Sequence, residues 1–242
     1  MPRSLASRRP SVPALLALCR VSNLPTVWTS VVGAVVLSGA SAPWTSGLLL
    51  LVAGSALYCA GMGLNDLLDL EEDRRSKPER PIPSGRVSEA EAWALTLGLF
   101  GLGLGALLLA PHRSGFVGGL LLAGTIVAYD RLHRAFAWSV YLMAGCRFLL
   151  WAVTALAASG ALGWKPALGG LAQFGYVLAL TRAARAEKKG AASPLVPIPL
   201  WIAGVSAVDG LVLALFAGAG WLGLGAAGVL ATLAAQRYVR GD

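Results

Sequence analysis

Charge is scarce in this chain: 13% of its 242 residues are charged and 56% are hydrophobic, against about 25% and 45–50% in soluble domains. The shortage excludes an ordinary water-soluble fold, because apolar stretches recur at almost every step and most approach the ~20 residues needed to cross hydrocarbon. Cysteine is scarce as well. Cys19, Cys59 and Cys146 lie in or beside separate apolar stretches without ligand-like spacing, so they read as buried small side chains, not a disulfide framework or a metal site. No Ser/Pro/Gly-rich linker longer than a loop interrupts the chain, which argues for one domain. No convincing A-x-A-like site follows the basic residues 1–10, with Arg3, Arg8 and Arg9, so their likeness to a signal peptide ends there and the first apolar segment is expected to stay in the membrane.

What is present is a series of apolar segments. The pattern predicts helices over 21–40, 45–66, 91–110, 115–129, 137–158, 164–182, 194–217 and 219–237, hence an all-α polytopic bundle of about eight transmembrane helices; a weak symmetry between its two four-helix halves implies a central cavity between them. A basic N-terminal tail is expected over 1–20 and a single transmembrane domain over 21–238. Lys and Arg crowd the tail, the C-terminal end and the connections after the second, fourth and sixth helices, while the other connections hold only Arg113 and Lys165. By the positive-inside bias both termini are cytoplasmic. The net charge of +8 lies in short segments flanking apolar spans, as suits anionic lipid headgroups and not nucleic acid. Glycines inside spans, such as Gly101, Gly105 and Gly33 near Ala40, are expected to let helices approach closely. The tryptophans fall mostly near helix ends and read chiefly as interfacial anchors.

The most informative stretch is Gly63-Leu-Asn65-Asp66-Leu-Leu-Asp69-Leu-Glu-Glu-Asp73-Arg74-Arg75. At ~100° per residue, Asp66, Asp69 and Asp73 fall within about 60° on a helix, with Asn65 at the edge of that face. Carboxylates so placed repel one another unless a cation neutralises them. Oxygen ligands of this kind suit Mg²⁺, which keeps waters and is completed by phosphate oxygens. Arg74, Arg75, Lys77, Arg80 and Arg86 follow and are suited to hold phosphate. The alternative is a solvated acidic helix end; against it, the carboxylates directly continue an apolar span.

The run Asn65-Asp66-x-x-Asp69-x-x-x-Asp73, followed by Lys77-Pro78-Glu79-Arg80-Pro81-Ile82-Pro83-x-Gly85, resembles the first signature of UbiA-type intramembrane prenyltransferases. Arg20-x-x-Asn23 and Tyr129-Asp130 extend the resemblance more loosely. It implies an all-α bundle whose cavity opens to the bilayer on the cytoplasmic side. Mg²⁺ on Asp66 and Asp69, with Asn65 and Asp73, would grip a prenyl diphosphate. Asn23, Asn65, Arg74, Lys77, Arg80 and Arg134 would contact the diphosphate. Its departure would leave an allylic cation for a lipophilic acceptor, aromatic or hydroxyl-bearing. Tyr129 would stabilise the cation or hold the diphosphate, and Asp130 would take the acceptor's proton; the other reading of Tyr129 is a belt residue.

The chain departs from that family where most members carry a second aspartate-rich motif. Here stands Leu180-Thr181-Arg182-Ala-Ala-Arg185-Ala-Glu187-Lys188-Lys189, which, with Tyr129-Asp130-x-x-His133-Arg134, resembles the EboC-like branch more than the quinone or haem branches. Either Arg182 or Arg185 replaces the charge of a second metal, or both face lipid headgroups. Thr181, Glu187 and Asp209 are candidates for the acceptor pocket or a remnant of the second motif. Arg147 and Asp209 are ionisable groups inside spans, where such groups face a cavity or a partner; either they pair with each other, or Arg147 faces the diphosphate and Asp209 the acceptor. A lipid carrier and a catalytically silent scaffold are the competing readings.

Overall fold

The computed structural model describes residues 11–41, 44–188 and 197–239, without the side chains of 186–188. Ten α-helices follow one another: α1 (Val12–Leu18), α2 (Leu24–Ser38), α3 (Trp44–Leu68), α4 (Leu70–Ser76), α5 (Glu89–Leu108), α6 (Arg113–Leu132), α7 (Val140–Ser159), α8 (Trp164–Lys188), α9 (Ile198–Ala217) and α10 (Leu222–Gln236). The all-α expectation holds among the described residues. Among the described residues, seven helical stretches are long and apolar enough to cross a membrane. The remaining expected span, 164–182, is the first part of α8; Lys165, Gln173, Thr181 and Arg182 make it more polar than the others. It is nonetheless packed between α7 and α9.

Helix α2 is the hub, touching α3, α7, α8, α9 and α10. The chain alternates direction, so 66–87, 130–139, the end of α8 and the start of α9 gather at one end of the bundle with Arg20 and Gln236. Small residues set the tightest contacts. A Cβ on Gly210 of α9 would come within 2.7 Å of the Gly225 Cα on α10, so these backbones touch directly. Gly33 of α2 and Gly169 of α8 flank the Trp151 indole, where a Cβ would sit 2.6 Å and 2.5 Å from its ring. Gly33 thus packs as expected. Gly101 and Gly105 do not, because a Cβ at either would meet nothing within 4 Å. Trp151, fully buried, is likewise no interfacial anchor, whereas Trp28, Trp44, Trp93, Trp138 and Trp164 are exposed.

The expected tail over 1–20 contains structure from Val12 onward. Pro13 sits in the first turn of α1, where a missing N–H costs nothing. Ala14 and Leu18 are buried with Leu67, Leu70, Ile82, Val87 and Ala92, so α1 closes over the loop that follows α3.

Candidate active site

Helix α3 runs unbroken to Leu68, and one residue, Asp69, separates it from α4. Asp69 has φ −90° and ψ 0°, yet its N–H donates to the Asn65 carbonyl at 2.9 Å and its own carbonyl accepts from Asp73 N–H at 2.9 Å. The break therefore bends the helix without rotating the next turn away, and Asp66, Asp69 and Asp73 keep to one side.

Each carboxylate has cationic partners. Asp66, buried, accepts from Arg20 Nη2 at 2.9 Å and Arg80 Nη1 at 3.2 Å, and the same Arg80 nitrogen reaches Asp73. Asp69 lies 2.7 Å from Arg134 Nε and 3.3 Å from His133 Nε2. His133 Nδ1 stands 3.0 Å from the Asp130 carbonyl, so a doubly protonated imidazolium donates at both ends. The bond to Asp69 raises the His133 pKa against the opposing effect of burial. Burial pushes the Asp69 carboxyl up, but the bond and charge of His133 together with Arg134 outweigh it and hold the group below its ordinary range. This end of the bundle is a mesh of fixed charges.

Arg20 is held at φ 44°, ψ 49°, in the left-handed region; among the described residues it is the sole non-glycine with positive φ. That conformation costs about 1–2 kcal/mol. It turns the guanidinium onto Asp66 and the Met62 Sδ, 3.1 Å from Nη1.

Beyond the charges lies a cavity of about 160 Å³. Its polar mouth holds Arg20, Asn65, Tyr129 and Asp130, and its far walls are Val27, Leu122, Leu150 and Val177. Asn65 Nδ2 donates to Asp130 Oδ1 at 3.3 Å, while Asp130 Oδ2 is buried with no hydrogen-bond partner among the described residues. Tyr129 stacks on His133 at 5.3 Å. Arg147 enters the cavity wall over the Tyr58 ring, 5.9 Å from its centroid.

Other sequence candidates lie elsewhere. Arg74 is half exposed and pairs with Glu71 and Glu89, facing away from the aspartates. Lys77 ends α4. Asn23 is buried and accepts from Gln236 Nε2 at 3.1 Å. Arg185 donates to the Ala137 carbonyl and Ser139 Oγ, both at 2.8 Å, and Arg182 to Tyr141 OH at 3.0 Å. They tie the end of α8 to the turn preceding α7, and neither lines the cavity. Thr181 Oγ1 donates to the Val177 carbonyl of its own helix. The Glu187 side chain lies outside the described residues.

Asp209 corrects two expectations. It neither pairs with Arg147 nor lines the cavity; it is fully buried, accepting from Thr29, Ser30 and Gln173. Arg147 instead donates to Thr26. Arg20 and His133 were visible in the quoted motifs but not as site residues; nothing in the sequence distinguishes them from lipid-facing cations. Tyr58, Met62 and Cys146 line the cavity from positions that read as ordinary apolar helix.

The donor set suits a hard divalent ion completed by phosphate. Among the described residues no three His, Cys, Asp or Glu groups converge into a closed cage, but two carboxylates with an amide beside them and cations around them fit an ion that takes its remaining ligands from water and substrate.

A stretch of 91 residues is 40% identical to the digeranylgeranylglyceryl phosphate synthase of Ignicoccus hospitalis, covering 37% of this chain and 29% of that protein. A stretch of 145 residues is 30% identical to the 2-acylphloroglucinol 4-prenyltransferase of Humulus lupulus, covering 56% and 34%. The chain thus spans about a third of the length of the curated relatives it matches. The solved structure of a UbiA homologue from Archaeoglobus fulgidus, bound to DMAPP and Mg²⁺, superposes with a TM-score of 0.59 at 18% identity, over 91% of this chain and 84% of that one. The profile of the UbiA prenyltransferase family matches residues 26–240. With seven apolar helical stretches, the chain is an integral multi-pass membrane protein and belongs to the UbiA prenyltransferase family.

Proposed function

We propose that this protein transfers a prenyl group from a prenyl diphosphate to a lipophilic acceptor within the membrane, with Mg²⁺ bound through Asp66 and Asp69. The observation that carries the reading is the joining of a cationic, carboxylate-bearing mouth to an apolar cavity, which suits a molecule with a phosphate head and a hydrocarbon tail. The kinds of protein it resembles, two of them named as prenyl-group or digeranylgeranyl-lipid enzymes, support the same reading.

Asp66 and Asp69 would hold the ion, with Asn65 and Asp73 beside them, and a divalent ion there supplies charge to offset the leaving diphosphate. Arg20 and Arg147 line the cavity and Arg80 stands on Asp66, so that all three favour the departing oxygens electrostatically. The C–O bond to diphosphate breaks with its electron pair going to the leaving oxygen. The acceptor's nucleophilic atom then bonds to the allylic carbon. The Tyr58 and Tyr129 ring faces are placed to favour positive charge in the cavity. Asp130, through its unpartnered Oδ2, takes the proton the acceptor loses. The apolar walls keep water from the cation. The basic segments around the mouth support a cytoplasmic side for the site and both termini.

The test is diphosphate release from a panel of prenyl diphosphates by the purified protein in lipid, with and without Mg²⁺, supplied with a lipid extract as acceptor. Release that needs Mg²⁺, Asp66 and Asp69 supports the reading. Prenyl-lipid transfer between vesicles that persists in Asp66→Asn and Asp69→Asn, with no diphosphate released, would replace it with a carrier.

A further inference from the structure

Deep in the bundle, behind the cavity wall, α2, α8 and α9 enclose a polar cluster whose side chains do not line the cavity described above. Its centre is Asp209. Thr29 Oγ1 lies 2.7 Å and Ser30 Oγ 2.8 Å from Asp209 Oδ2, and Gln173 Nε2 donates to Oδ1 and to the Val205 carbonyl. A carboxylate sealed at 0% exposure is expensive in a bilayer interior and calls for a reason.

Counting protons supplies one. Ser30 Oγ and Thr29 Oγ1 also lie 3.0 Å and 3.3 Å from the Thr26 carbonyl. Each hydroxyl has a single proton. Bonds to a carboxylate are shorter and stronger than bonds to a carbonyl, so Asp209 draws both protons toward itself. The Thr26 carbonyl is then left open on that side, and Arg147 Nη1 donates to it at 3.3 Å. The Thr26 hydroxyl donates to the Asn23 carbonyl at 2.7 Å and so turns a lone pair to Arg147 Nη2 at 3.0 Å. Thr26 thereby presents two acceptors to one guanidinium fork. Without the carboxylate, the Ser30 hydroxyl turns to the carbonyl and competes with Arg147, while the Thr29 hydroxyl divides between that carbonyl and Ser206 Oγ, 3.2 Å away.

We infer that Asp209 is a positioning residue: acting through Thr29, Ser30 and Thr26, it fixes the orientation of the Arg147 guanidinium in the cavity wall, and so sets how tightly the site holds the diphosphate head. A direct Asp209–Arg147 ion pair would spend the cation's charge on the carboxylate. A counter-charge one hydrogen-bond layer away fixes the arginine while leaving its remaining N–H groups for an anion. The inference rests on the proposed diphosphate site, and the experiment separates the two.

Binding of inorganic diphosphate with Mg²⁺ is measured by calorimetry in nanodiscs for wild type, Arg147→Met, Asp209→Asn and the double variant, with thermal midpoints recorded alongside. The expected result is about tenfold weaker binding for Asp209→Asn, the size of one lost charged hydrogen bond, and no further loss when it is added to Arg147→Met. Equal losses in both backgrounds, tracking the fall in thermal midpoint, would make Asp209 purely structural and overturn the inference while leaving the diphosphate site intact. Unchanged binding in Arg147→Met would overturn the inference, and no Mg²⁺-dependent diphosphate binding by wild type would overturn the site on which it rests. Asp209→Ser, which also removes the carboxylate, is the second variant should Asp209→Asn fail to fold; it too should weaken binding about tenfold, and only where Arg147 is present.

Discussion

Arg20 combines a left-handed backbone with a buried ion pair to Asp66. Glycine at that position would relieve about 1 kcal/mol or more of backbone strain while removing the guanidinium. Arg20→Gly should therefore lose less thermal stability than Arg20→Ala, yet both should cut diphosphate release by tenfold or more, roughly the weight of one lost charged contact. Equal activity in Arg20→Gly and wild type would remove Arg20 from the site. Asp66→Asn preserves shape but abolishes a charge that two arginines share; release should fall about 100-fold or more if the carboxylate holds the metal. Excess Mg²⁺ should recover part of the loss in Asp73→Asn but not in Asp66→Asn, because Asp73 stands about two turns further along the chain from the cavity than Asp66. That comparison is read from the Mg²⁺ dependence of each variant.

At the level of the helix, the cavity is bounded by how closely α3 approaches α2 and α7. Gly54 of α3 lines it, and a Cβ there would lie 3.1 Å from Val31 and 3.3 Å from Leu150. Gly54→Ala should narrow the apolar end and shift turnover toward shorter prenyl diphosphates, whereas Val177→Ala on α8 should shift it toward longer ones. Product chain-length ratios from mixed substrates decide this, and identical ratios in both variants would mean that the tail leaves the cavity by another wall. Trp151 is a different case. It joins α2, α7 and α8 by filling the space between Gly33 and Gly169, so Trp151→Ala opens a void and should cost about 3–5 kcal/mol, seen as a lower thermal midpoint.

For the whole molecule, the alternation of helices puts the 66–87 loop and the 160–163 turn at opposite ends. In a chain with Cys19, Cys59 and Cys146 replaced by Ala, a cysteine introduced as Arg75→Cys should react with a membrane-impermeant thiol reagent from the cytoplasmic side only, and Ala161→Cys from the other side only. The reverse pattern would invert the orientation argued from Lys and Arg placement.

Sequence alone determined the membrane, the helical class and the acidic face, because hydropathy and the helical period are local properties that each segment carries with it. Asp66, Asp69 and Asp73 were legible for the same reason: eight consecutive residues with helical spacing decide that they share a side, even across the bend at Asp69. Their partners were not. Arg20, Arg80 and the pair His133-Arg134 come from three separate parts of the chain, and only packing distinguishes them from Arg74 or Arg182, equally cationic and turned elsewhere. Arg147 and Asp209 show the limit most plainly. Two opposite charges in apolar helices suggest an ion pair, but the path of α2 between them inserts Thr26, Thr29 and Ser30, so tertiary structure converts a pair into a relay.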